Sequence, residues 1–257
     1  MIANFHTHTY RCHHAKGTER DYVLAAINAG IKYLGFSDHS PYYFPDGYYS
    51  HFRMSPEEVA EYAGEIIKLR EEFKDSIKIY IGYETEYYPE FFDKTLDILN
   101  QAPYDYLILG QHFIGNEIGE QHTAKPTDDA GALDAYVNQV IEGMRTGRFF
   151  YLAHPDVLNI SCDGDYYEEK MTLLCQEAKK LDIPLEINML GLREHRSYPD
   201  ERFWKVAANV GNKAILGCDA HDPQHIAQPE NVEQSLRWAD RFGVEITEPT
   251  EPIKIRF

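Results

Sequence analysis

Twelve histidines stand in this chain of 257 residues, and most fall in short motifs shared with carboxylates. His6-Thr7-His8 opens the series. Residues i and i+2 of a strand share a face, so both imidazoles point the same way, which suits two ligands of one metal. Cys12-His13-His14, Asp38-His39, Glu84-Thr85-Glu86, His112, His154-Pro155-Asp156 and Asp219-Ala220-His221 follow. Glu84 and Glu86 share one strand face, so either could reach a common site. A carboxylate can bridge two metals, whereas an imidazole normally binds one. Imidazole and carboxylate donors suit Zn, Fe or Mn, and such cations promote hydrolysis by acidifying water and spreading charge. Any one motif is compatible with an ordinary structural role. Their repetition at equivalent places is not.

Those places are the ends of strands. Short apolar runs predict strands over 2–6, 33–37, 77–82, 104–109, 149–153, 185–188 and 214–217. Amphipathic segments between them predict helices near 19–29, 56–73, 90–99, 130–146, 166–180, 199–210 and 232–242. Ser55-Pro56-Glu57-Glu58 has the form of a capping box with Pro at N1, and Gly30 and Gly147 stand where left-handed caps end helices. Seven strand–helix units imply a parallel sheet in one domain, 1–257, with no repeat or linker. Loops after all strands of an open sheet cannot converge on one point, but in a barrel they ring a single mouth. The expected fold is therefore an α/β, TIM-like barrel with the metal site at the C-terminal ends of its strands.

The formal charge of −17 repels a phosphate backbone, so no nucleic-acid partner is expected. No apolar run reaches the ~18 residues of a membrane span. The first residues lack the charge pattern of a secretory leader, and the four scattered cysteines form no C-x-x-C pair. A cytoplasmic protein with reduced thiols is expected.

Together the motifs H-T-H-T-x-x-C-H-H, S-D-H, G-x-E, G-Q-H, A-H-P-D, E-I-N-x-x-G-L-R and D-A-H run the length of the chain. In that set the sequence resembles the PHP (polymerase and histidinol phosphatase) superfamily, and within it the monofunctional histidinol-phosphate phosphatases. The resemblance implies a distorted (β/α)7 barrel with three divalent metal ions (Zn, Fe or Mn). By position, His6, His8, Glu84 and Asp219 would hold the first metal. Glu84 would bridge to a second on His112 and His154, and His14, His39 and His221 would hold a third. His13 competes with its neighbour His14 for that last place. Glu86 would then stand behind the ligands.

The implied reaction is hydrolysis of a phosphate monoester, L-histidinol phosphate, by in-line attack of a hydroxide bridging two metals. Asp38, Asp156 and His13 are the candidates for protonating the leaving group. Arg193 leads as the fork for the phosphate, followed by Arg196 and Arg53. The aromatic stretch 41–49 could be a lid or a packed loop. The alternatives are a PHP phosphatase of another small phosphomonoester, such as a nucleotide or sugar phosphate, a PHP nuclease, and a non-catalytic metal-binding protein.

Overall fold

A computed structural model describes residues 1–119 and 121–252. Its strands are β1 (Ala3–Asn4), β2 (Tyr33–His39), β3 (Lys78–Thr85), β4 (Tyr106–Leu109), β5 (Leu185–Asn188), β6 (Lys213–Gly217) and β7 (Glu245–Ile246). They form two parallel sheets, ordered β1-β2-β3-β4 and β5-β6-β7. The longer helices are α1 (Glu19–Asn28), α2 (Val59–Glu72), α3 (Phe92–Leu99), α4 (Ala130–Arg145), α5 (Gly164–Lys180), α7 (Glu201–Val210) and α8 (Pro229–Phe242), with a short α6 (Met189–Glu194) after β5. The result is a mixed α/β fold around a curled parallel sheet.

Local chemistry starts and stops these helices largely as read. Thr18 and Asp21 close a reciprocal capping box on α1, and the Ser55 N–H donates to Glu58 at 2.8 Å. Past α1, Gly30 takes φ +80° and the Ile31 N–H returns to the Ala26 carbonyl at 2.9 Å. Among the described residues no helix is long and apolar enough to cross a membrane.

Two expected strands are cut short. The run 149–153 makes only single-residue bridges, with Leu152 meeting Leu109 on one side and Leu185 on the other. Pro184 has no N–H to offer and supplies only its carbonyl to Leu152, which keeps this ladder from extending further back. The first run pairs through Ala3 and Asn4 alone, because the Asn4 side chain donates to Thr7 Oγ1 and accepts from the Cys218 N–H. Beyond it Thr7 bridges Ala220, which follows the central strand β6, so the segment after β1 touches the second sheet. Where a complete seven-stranded ring was expected, the structure has two sheets joined by isolated rungs. The strand count of seven is reached only with β7, which the sequence pattern left unassigned.

The main core lies between sheet and helices, and a second apolar cluster of Phe5, Tyr106, Ile108, Phe150, Tyr151 and Ile215 fills the inside of the curl. Tyr106 lies so close over Gly35 and Gly82 that a Cβ at either would collide with its ring, and its hydroxyl donates to the Phe5 and Phe36 carbonyls. This plug keeps the inside of the curl dry.

Candidate metal centre

Above the plug the strand ends deliver polar side chains to one point. Parallel register sets His39, the last residue of β2, opposite Glu84 on β3, with their side chains 3.1 Å apart. His6 and His8 arrive from the segment after β1, His112 from beyond β4, His154 from beyond the Leu152 rung, and Asp219 and His221 from beyond β6. His154 and Asp219 hold φ of 28° and 45°, a left-handed backbone that costs about 1–3 kcal/mol per residue and is held by its surroundings. Six rings and two carboxylates (Glu84 and Asp219) meet there. His14 joins from the loop after β1, its ring stacked 4.7 Å from that of His221.

The contacts within this cluster are unusual for a dry core. His6 Nε2 lies 3.6 Å from both Glu84 and Asp219, and His8 Nε2 lies 3.5 and 3.2 Å from the same pair. Yet among the described residues His6 Nε2, His8 Nε2, His39 Nδ1, Glu84 Oε2 and Asp219 Oδ1 are buried without a hydrogen-bond partner. Donor and acceptor atoms aimed at shared points rather than at one another are what bound cations require. Three-atom sets lying mutually within 4.8 Å include His6/His8/Asp219, His6/Glu84/His154, His8/His39/Glu84 and His14/His39/His221. These residues fit divalent metal ions.

Electrostatics separates the rings. Burial alone would lower His6 and His8, but Glu186 and Asp219 lift the first well above its ordinary value and Asp219 and Asp38 the second. Burial would raise Glu84 and Asp219, and the surrounding histidines instead hold both well below the carboxylate range. His14 and His221 are pushed down by burial and by His8, and His39 for the same reasons to about 3. These last three stay neutral, the form that ligates.

Behind the cluster a further ring of acceptors holds the other imidazole nitrogens. The Nδ1 atom of His6 donates to Glu186 at 2.7 Å, that of His112 to Glu86 at 2.9 Å, and that of His14 to the Cys12 carbonyl at 2.7 Å. His8 Nδ1 faces Asp38 at 3.4 Å. Such bonds fix tautomer and ring angle and leave Nε2 as the ligating atom. Glu186 was not singled out from sequence. Its signal was Leu-Glu-Ile-Asn in a buried strand, a carboxylate where only a paired charge is tolerated. Besides His6, it accepts from the His154 N–H at 3.0 Å and from Asn188, which also donates to Asp219.

Several expected roles change. Asp38 is fully buried, accepts from the Thr9 N–H and hydroxyl and the His39 N–H, and is held ionised by His8 and His39 despite its burial. As a carboxylate facing the His8 ring it has no proton to give. His13 is turned outward in a left-handed turn against the Tyr49 hydroxyl, while its neighbour His14 enters the cluster. Arg53 is buried and both its edges are taken by carboxylates, so it cannot clasp a phosphate. Arg193 does not line the cavity, and among the described residues its buried terminal nitrogens have no hydrogen-bond partner.

Asp156 faces the helix layer instead of the cluster. One of its oxygens accepts from the Asp200 N–H at 2.6 Å and from Trp204 Nε1 at 3.1 Å. Burial pushes its carboxyl up to about 7. An unfolded aspartate ionises near pH ~4, so the fold retains a proton that the unfolded chain releases. The stability Asp156 contributes is complete below that value and fades as pH rises to about 7. Urea midpoints at pH ~4.5 and ~7.5 test this, since Asp156→Asn should lose less stability between them than the parent. Identical losses would refute it.

A cavity of about 510 Å³ opens over the cluster. Its outer wall carries His51, Phe52, His122, Glu194, Arg196 and Tyr198. Arg196 is therefore the arginine at the mouth, paired with Glu194 at 2.7 Å and donating to the Tyr198 hydroxyl at 3.1 Å. His122 is also here, whereas His195 is an exposed cap of α6. The aromatic stretch is a packed loop: Tyr42 and Phe44 stack on each other and lie against Tyr88 and Phe91.

Known proteins resemble this chain over most of its length. A probable histidinol-phosphatase of Deinococcus radiodurans is 29% identical over 238 residues, covering 88% of each chain. A histidinol-phosphatase of Bacillus subtilis is 29% identical, covering 84% of this chain and 92% of its own. The fold is similar to that of histidinol phosphate phosphatase from Lactococcus lactis, solved with zinc, L-histidinol and phosphate, at a TM-score of 0.74 and 21% identity over 100% of this chain and 99% of that one. The PHP domain pattern matches residues 4–189, more than half of the sequence, and the chain belongs to the PHP domain family.

Proposed function

We propose that the protein is a metal-dependent phosphomonoesterase that hydrolyses L-histidinol phosphate to L-histidinol and phosphate. One observation carries this reading: buried imidazole and carboxylate atoms without partners converge on the floor of a cavity large enough for a small phosphate ester. The names of the relatives support the substrate. We assign three cations, one to His6, His8, Glu84 and Asp219, one to Glu84, His112 and His154, and one to His14, His39 and His221. When bound, they would acidify water near neutral pH and offset charge on the phosphoryl oxygens. The rungs at Leu152 and Thr7 support a closed (β/α)7 ring beneath them.

The residues of the chain do the remaining work. Asp38, Glu86 and Glu186 hold rings in register, and Tyr106 keeps water from below. At the mouth Arg196 presents its guanidinium to the phosphoryl group. His122 Nδ1 accepts from the Ala124 N–H at 3.0 Å, so its proton sits on Nε2, and burial and His112 press its pKa to about 4. It is a neutral hydrogen-bond donor for the ester. Four unpaired cysteines support a reducing, cytoplasmic setting.

Phosphate release from a panel of monoesters, with chelator and after metal is restored, tests the reading. Turnover should vanish on chelation, return with metal, and be fastest for L-histidinol phosphate. Arg196→Gln should raise KM about tenfold with metal content unchanged. No turnover with metal restored would end the enzyme reading, and preference for a sugar or nucleotide phosphate would replace the substrate.

A further inference from the structure

A second concentration of buried charge lies beside the donor cluster. Arg53 is 2% exposed, and all five of its N–H donors are used. Nη1 donates to the Ser40 carbonyl at 2.8 Å and to Glu86 at 3.1 Å. Nη2 donates to Glu86 at 3.0 Å and to Glu117 at 2.7 Å, and Nε is shared between Ser50 and Glu117, both at 3.1 Å. The rings of Phe52 and Tyr42 lie 4.4 and 4.9 Å from the guanidinium carbon.

Each contact leads onward to the metal centre or to the loop above it. Ser40 follows His39. Glu86 Oε1 also accepts from the His112 Nδ1–H at 2.9 Å, which leaves His112 Nε2 facing Glu84 at 3.4 Å. Glu117 accepts from the Tyr48 hydroxyl at 3.3 Å. Phe52 stands edge-on to His39 at 5.2 Å and lines the cavity. Two carboxylates face one guanidinium, so one negative charge stays unbalanced in a dry site, and the His112 N–H meets it. Leaving such a charge is costly unless a cation held through His112 answers it.

We propose that Arg53 is a positioning residue for the metal centre. Through Glu86 it fixes the His112 imidazole, and through Glu117, Tyr48 and Phe52 it ties the loop 41–52 to that ligand, coupling metal loading to loop order. This rests on the assignment of His112 as a metal ligand. Lysine, a point charge with three donors, cannot span both carboxylates.

The test uses the metal-loaded protein and its Arg53→Lys and Glu117→Gln variants. The glutamine keeps the shape and an acceptor for Arg53 while removing the surplus charge, so it should fold even if the lysine variant does not. Zinc release to a chelator should be about 10- to 100-fold faster in the folded variants. Amide exchange over residues 41–52 should slow on metal loading in the parent and not in the variants. A purely structural role would lower Tm alone. Folded Glu117→Gln with parental zinc release and intact metal-dependent protection would overturn the proposal while leaving the phosphatase reading standing. A parent protein that binds no metal would sink both.

Discussion

Glu84→Gln is expected to lower kcat by on the order of a thousandfold and to reduce the metal bound per chain. His154 lies 2.8 Å from its carboxylate, His39 3.1 Å, His112 3.4 Å, His8 3.5 Å and His6 3.6 Å. An amide has nearly the same shape but no charge, and it turns one oxygen into a donor that repels a cation. The five rings would then lose the anion they share, and two proposed metals would lose a common ligand. Atomic emission on protein confirmed folded by circular dichroism, alongside kcat, reads both effects. Full metal content with unchanged kcat would refute the bridging role.

Gly217→Ala should be nearly as damaging, although Gly217 carries no side chain. A Cβ there would stand 2.5 Å from Glu186 Cδ and 3.0 Å from its Cγ. Glu186 cannot swing aside freely, because His6, the His154 N–H and Asn188 all hold it. Displacing it would free the His6 ring, loosen His154 and release Asn188 from Asp219, so three proposed ligands would move together. Activity should fall at least about 100-fold, metal affinity should drop, and a buried carboxylate left poorly paired should cost about 1–3 kcal/mol of stability. A denaturation midpoint and a zinc titration equal to those of the parent would show that the site relaxes around the methyl group.

Much of the donor set was legible because its rules are local. Two histidines spaced by one residue share a strand face whatever surrounds them, and polar residues closing apolar runs mark strand ends. The helices were legible for the same reason, since a cap such as Ser55/Glu58 acts within four residues. The failures cluster where partners are distant in sequence. Arg53 was read as a phosphate fork because arginine suits that task, but Glu86 and Glu117, 33 and 64 residues away, occupy it. Asp38 is one residue from His39 on an extended strand, where such a step reverses the direction of the side chain. His13 beside His14, and Asp156 two residues past His154, lie in bends and turns, where left-handed backbone at His13 and His154 breaks the strand period.

The sequence alone determined which donor types are present, their order, and their position just past the strands, because those follow from side-chain chemistry and the two-residue period of a strand. Only the tertiary structure decided which of adjacent residues turns inward, as with His14 over His13. It alone decided which carboxylate stands behind each imidazole. The His6–Glu186 bond spans 180 residues and forms only because the curled sheet brings its two halves face to face. Burial did the rest: in a site without water every charge must find a partner or a cation, and which partner is a matter of distance across the fold.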